Sequence, residues 1–368
     1  MQKEFHYYAT YAAACLAGYS HEESLQIAYS AALVDFCSED YLGELSAPVK
    51  AATTQLQLEM VDMKTDKFGR TKITEIWSSF HFLPGDLYAE VKKGGRRYKD
   101  KYRMICNVNS DLLVKTVELA RGEGLQAVGL AMHILADTWA HRYFAGTPSL
   151  VINNINYSFY ERVPEGDGTV DRHVTFRHNP KAKDDPEKSL YTNTIYRSSE
   201  NSVMNLGHGR AGHLPDYGFA VYRYLPAWAD YEEVVKNNPE DFHHAFCQMV
   251  YAMKCLRAEG AVFEKDTYDM EAVAPYEEEI QKILTNRSIE ADLGWKDLGE
   301  RLSGTAIPEF STATFREEYL NAVGVEKEQT VLGRFIRAAI RQKEMVVGEI
   351  KASGNLLLKT KKRKADKG

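Results

Sequence analysis

The stretch that most constrains this chain is GLQAVGLAMHILADTWAHRYFAG, residues 124–146. It reads as a helix that is apolar almost all the way round, and such a helix is buried. Yet it carries His133, Asp137 and His141. At about 3.6 residues per turn, each step of four advances only about 40° around the axis. The three side chains therefore form one stripe. Two imidazoles and a carboxylate on a buried face are costly unless something compensates them. Zinc is a natural compensation because it takes His nitrogen and Asp oxygen. An Asp between two His suits a site with more than one metal. The alternative for the same stripe is a metal-free, hydrogen-bonded core network.

Other His and Asp residues extend the set. His6 lies in EFHYYATYAAA, Asp35 ends AALVDFC, and His81 sits between two Phe in SSFHFLPGD. His208 and His213 lie in GHGRAGHLPD with Asp216 beside them, where glycines let backbone approach a ligand closely. The basic run KKGGRRYKDKYR, with Arg96 and Arg97, follows His81 and reads either as a solvated loop or as an attractor for an anionic substrate.

Composition narrows the class. Hydrophobic residues are 44% and charged residues 27%, which excludes disordered and fibrous chains. A net charge of −6 gives no whole-molecule positive field for nucleic acid. The five cysteines, at 15, 37, 106, 247 and 255, are odd in number and show no CxxC spacing. They make a poor disulfide framework and fit a reducing compartment. No secretory signal opens the chain and no apolar run is long enough to cross a membrane, so the expected location is cytoplasmic.

The expected fold is mainly α-helical with a small β-rich insertion at about 149–200. Helices are predicted near 5–18, 20–35, 109–121 and 124–144, with Ser20 and Glu23 forming a capping box. Residues 55–63, QLQLEMVDM, look strand-like. Helices resume at about 218–236, 240–260, 275–302 and 315–351. The chain divides into a metal-binding helical domain over 1–260, a helical C-terminal extension over 261–352 and a basic flexible tail over 353–368. The extension reads as a packing element through which homo-oligomers could form.

The order His6, Asp35, His81, His133-x-x-x-Asp137, His141 and a later Gly-flanked His213 with an acid resembles the zinc-dependent phospholipase C / S1-P1 nuclease superfamily. The text around HILADTWAHRYFAG and the FHYYATYAAA opening are also similar to a bacterial family related to that group. The resemblance to the enzymes covers about residues 5–220 and lies in ligand order. It implies a buried helical bundle holding two or three zinc ions. Asp35, His81, His133 and Asp137 would hold one, His6 and the bridging Asp137 a second, and His141, His213 and Asp216 a third. Three departures stand out. The family's enzymes use a processed N-terminal Trp, whereas this chain opens MQKEF. Their last acid follows its His by four positions, whereas Asp216 follows His213 by three. They are typically secreted and often disulfide-bonded.

The resemblance implies hydrolysis of a phosphodiester or phosphomonoester by a metal-activated water, with a phospholipid, a nucleotide or a nucleic acid as substrate. Asp35 would act as ligand or general base, and Arg96, Arg97 and His208 would bind the anionic substrate. The competing class is a non-catalytic, zinc-stabilised helical interaction protein. A nucleic acid or an anionic membrane surface is an open possibility for the tail KTKKRK, whose other reading is a solvated end.

Overall fold

A computed structural model describes residues 1–55, 67–155, 158–179, 181–193, 202–289 and 293–358. The strand-like run expected at 55–63 lies outside these residues apart from Gln55, as do positions 359–368 of the basic tail.

The chain opens with a π-helical turn, Phe5–Ala9, that runs into α1 (Thr10–Leu16). Next comes α2 (His21–Leu33). Its capping box forms as expected: Ser20 Oγ accepts from the Glu23 amide and Glu23 accepts from the Ser20 amide. Four short or peripheral helices follow: α3 (Glu39–Glu44), α4 (Lys67–Phe80), α5 (Arg96–Tyr102) and α6 (Asp111–Leu119). Then comes α7 (Leu125–Ala140), in which every residue from Gln126 onward is buried.

Helix α7 is the axis of the molecule. It packs against α2 on one side and, on others, against α8 (Asn238–Arg257) and the last long helix. Its expected end near residue 144 comes earlier, at Ala140. The cause is a backbone ladder to the 104–106 loop, in which the Cys106 amide donates to the Phe144 carbonyl and the Tyr143 amide to the Cys106 carbonyl. That ladder draws the chain off the helical path just after His141.

Between α7 and α8 lies the β lobe. Strands β1 (Tyr160–Glu165), β2 (Gly168–His173), β5 (Val221–Tyr224) and β6 (Val234–Asn237) form an antiparallel sheet in the order β2-β1-β5-β6. The short β3 (Thr175–Arg177) and β4 (Leu190–Thr192) pair in parallel. The lobe therefore runs to residue 237, and the helix expected over 218–236 is two strands. Pro226 interrupts any helix there. Residues 221–224 instead alternate half-buried and buried against β1, the period of a strand.

The rest is helical: α9 (Met270–Val273), α10 (Glu277–Thr285), α11 (Gly294–Ser303), α12 (Arg316–Asn321) and α13 (Val331–Ala352). These helices, read from the sequence as a separate extension, share one core with the N-terminal helices. Trp295 packs edge-on to Phe5 and against Phe246. Helix α13 lies across α4 and α7. Among the described residues no helix is long and apolar enough to cross a membrane. All five cysteines are free thiols.

Candidate metal centre

Asp137 lies at the middle of the site and is buried, as are His133 and His141 from the same stripe. His141 is one residue past the last turn of α7, but its amide still donates to the Asp137 carbonyl. The stripe therefore survives the early end of the helix. Helix α2 contributes Asp35 two residues beyond its end, α4 contributes His81 from the residue after Phe80, and the N-terminal π-turn contributes His6.

The two oxygens of Asp137 serve different neighbours. Oδ2 lies 3.1 Å from His133 Nε2 and 3.2 Å from His81 Nδ1. Oδ1 lies 3.2 Å from His6 Nε2 and 3.1 Å from the α-amine of Met1. Asp35 stands at the outer side, 3.8 Å from His81 and 3.9 Å from His133. A third group forms around Asp216, whose Oδ1 lies 3.1 Å from His141 Nε2 and 3.5 Å from His208 Nε2. The amine of Met1 is 3.1 Å from that same oxygen. Three clusters thus bring nitrogen and oxygen donors within reach of a common point: His6 with His133 and Asp137, Asp35 with His81 and His133, and His141 with His208 and Asp216.

Four of the rings are fixed by backbone carbonyls. His133 Nδ1 donates to Ala31 O at 2.9 Å, His81 Nε2 to Thr53 O at 3.0 Å, His141 Nδ1 to His81 O at 2.7 Å, and His208 Nδ1 to Gly212 O at 2.7 Å. A carbonyl only accepts, so each of those nitrogens carries the hydrogen. In the neutral ring the other nitrogen is a lone pair, and in all four cases it faces a carboxylate of the site. Lone pairs of His133 and His81 stand 3.3 Å apart beside Asp137 Oδ2. His6, stacked on His133 at 3.8 Å, has both ring nitrogens buried with no hydrogen bond. The Met1 ammonium donates to Asp137 and reaches Asp216 and His141, whereas around Asp35, His81 and His133 the acceptors converge without a donor among the described residues, which is what a cation site requires. Carbonyl-fixed imidazoles are its usual supporting shell.

Electrostatics point the same way. Burial opposes charge on the Met1 amine, but Asp137, Asp216 and Asp35 outweigh it and push the amine up to about 11. Burial also opposes charge on Asp137 and Asp216. The neighbouring imidazoles and the amine nonetheless hold both well below the usual carboxylate range. His6 and His208 are pushed down to about 4, chiefly by burial. His81 is raised, since Asp137 and Asp35 overcome its burial. The three carboxyl groups face one ammonium, so the cluster as a whole favours added positive charge.

Two expectations about individual residues change. His213 is not with the third group: its Nδ1 lies 3.6 Å from Asp184 and its side chain is 64% exposed. Asp184 is otherwise engaged by the Thr192 amide and the Tyr217 hydroxyl. His208 takes the inner place instead. The chain reverses at Gly212, where φ is +57° and a Cβ would sit on the Thr192 carbonyl. That reversal separates the two histidines, and its tertiary cause is invisible in sequence. Arg96 is not near the cluster's contacts either: it bonds Asp100 and the Gly354 carbonyl. Arg97 follows it on the same short helix. The group the residue pattern did not offer is the Met1 amine, because a main-chain amine leaves no mark in side-chain spacing.

The centre is open on its flanks. Asp35 is 32% exposed, His208 17% and Asp216 15%, while His6, His133 and Asp137 are at 1% or less. Phe82 stacks on His141 at 4.6 Å, in a space that Gly207 leaves free.

The chain belongs to a family of unknown function, DUF6765, whose match spans residues 1–350. That span runs through the β lobe and most of α13, so the family unit includes the C-terminal helices. No curated protein and no solved structure matches the chain.

Proposed function

We propose that this chain is a zinc-dependent phosphoesterase whose centre is of the phospholipase C / P1 nuclease type. The observation that carries the proposal is the set of four carbonyl-fixed imidazoles whose lone pairs converge with Asp137, Asp35 and Asp216. Nitrogen and carboxylate oxygen are the donor set zinc takes. Asp35, His81, His133 and Asp137 would hold one ion. His6 and Asp137 would hold a second, and His141, His208 and Asp216 a third. Bound zinc supplies Lewis acidity toward a phosphoryl oxygen and lowers the pKa of water toward about 7.

The chain's own groups supply orientation and proton handling. Asp35, at the open flank, would accept a proton from an attacking water. Asp216 and His208 border the other flank. Phe82 fixes the plane of His141. The substrate class is a phosphodiester or phosphomonoester, from a phospholipid, a nucleotide or a nucleic acid.

The test is hydrolysis of p-nitrophenyl phosphate and bis-p-nitrophenyl phosphate, followed by chelation and zinc return. Activity that vanishes with chelator, returns with zinc and is absent in Asp137→Ala supports the proposal. Stoichiometric zinc with no turnover of either ester class would instead favour the non-catalytic, zinc-stabilised reading, in which the closed inner group His6–His133–Asp137 is a staple.

A further inference from the structure

The C-terminal helix α13 carries a basic face, most of which neither the fold nor the metal centre uses. Arg334, Arg337 and Arg341 are spaced three and four apart, so they share one side of the helix. That side borders a shallow, half-open groove between α13, α6 and the start of α7. Leu119, Ala120, Ala127 and Leu130 supply apolar walls, and Glu123 is the one acid on its lining. Glu123 is taken by Arg341. The side chains of Arg334 and Arg337 are half-buried and have no hydrogen-bond or ion-pair partner among the described residues.

That arrangement costs stability as it stands. Like charges at this helical spacing repel each other. Arg334 also sits in the first turn of a 22-residue helix, the end at which the backbone dipole disfavours cations. An anion in the groove would reverse both effects. It would take two guanidinium forks, which match phosphate oxygens in pairs, against apolar walls that strengthen the attraction.

We propose that the α13 groove is a binding site for a phosphate-type oxyanion, separate from the metal centre. The shared chemistry is a phosphate or phosphomonoester group, from a free small molecule or from the headgroup of an anionic lipid.

The test is binding of inorganic phosphate at fixed ionic strength, read by calorimetry. It uses the native protein, chelator-stripped protein and the double variant Arg334→Gln/Arg337→Gln. Stripped protein removes phosphate binding by the metal centre from the comparison. Co-sedimentation with phosphatidic acid vesicles, against neutral vesicles, separates the two sources. The proposal expects saturable binding that survives stripping and weakens at least tenfold in the double variant. Binding to phosphate in solution assigns a soluble ligand, and capture by phosphatidic acid vesicles alone, lost in the double variant, assigns the headgroup. Binding unchanged in the double variant, binding that disappears on stripping, or no binding to either probe would overturn it. Unfolding temperature of the double variant, equal to or above that of the native chain, checks that any loss is not a folding defect.

Discussion

Gly129 lies one helical turn before His133, on the side of α7 that faces α2. A Cβ there would fall 2.2 Å from the Ile27 carbonyl oxygen and 2.8 Å from Ser30 Cβ. An ordinary C···O contact is about 3.3 Å or more, so Gly129→Ala must part the helices by about 1 Å. Ala gains about 0.8–1 kcal/mol over Gly in a helix interior. Overpacking against a rigid neighbour costs about 1–3 kcal/mol, and a backbone carbonyl cannot swing away, which puts this site at the upper end. The expected net loss is therefore about 1–2 kcal/mol, read as a fall of a few degrees in Tm. The functional effect is larger. Helix α2 supplies both the Ala31 carbonyl that fixes His133 and, just beyond its end, Asp35. A ~1 Å shift exceeds the ~0.5 Å tolerance of a preorganised site, and loss of such support weakens metal binding by about 10–100-fold. Gly43→Ala, on α3 with nothing within 4 Å of the new Cβ, is the control and should be neutral or slightly stabilising. Both variants are measured by thermal unfolding and by zinc retained after dialysis against a weak chelator. A Gly129→Ala protein that matches the control in both would show that close packing of α7 on α2 does not hold the site.

Two further outcomes follow from the geometry. His208→Ala should remove one cation's worth of binding, whereas His213→Ala should leave the metal content unchanged; elemental analysis of both variants decides which histidine belongs to the third group. In chelator-stripped protein, stability should fall as pH drops from about 6.5 to about 4. His6 and His208 stay neutral in the fold down to about 4 while the unfolded chain takes up their protons near 6.5, so acid favours unfolding. The raised His81 works in the opposite direction, adding stability that is present in acid and lost as pH rises through its folded value. Two depressed groups outweigh it, and below that range protonation of Asp137 and Asp216 removes more. Urea unfolding at a series of pH values reads the slope.

The parts of the fold that local chemistry dictates were legible in the sequence. Helix α2 begins at its capping box, and α7 is buried as its apolar circumference requires. The stripe of His133, Asp137 and His141 needed only helical periodicity. Features that depend on distant contacts were not legible. VYRY reads as an apolar helical fragment until β1 is known to lie beside it. His208 and His213 look equivalent between glycines until Gly212 is seen pressed on the Thr192 carbonyl. The C-terminal helices look like an appendage because amphipathic periodicity does not say which surface will cover them. Lys343 of α13 in fact donates to the carbonyls of Lys50 and Ala52, next to the Thr53 carbonyl that fixes His81. The last long helix is thereby tied to the loop that orients a site residue.

The proposed function requires the buried His and Asp side chains around Asp137 to be metal ligands. Elemental analysis of the native chain, purified without chelator, tests it most directly. Two or three zinc ions per chain are expected, most of them lost in Asp137→Ala. Native protein that holds no stoichiometric metal would contradict it and leave the cluster as a hydrogen-bonded core.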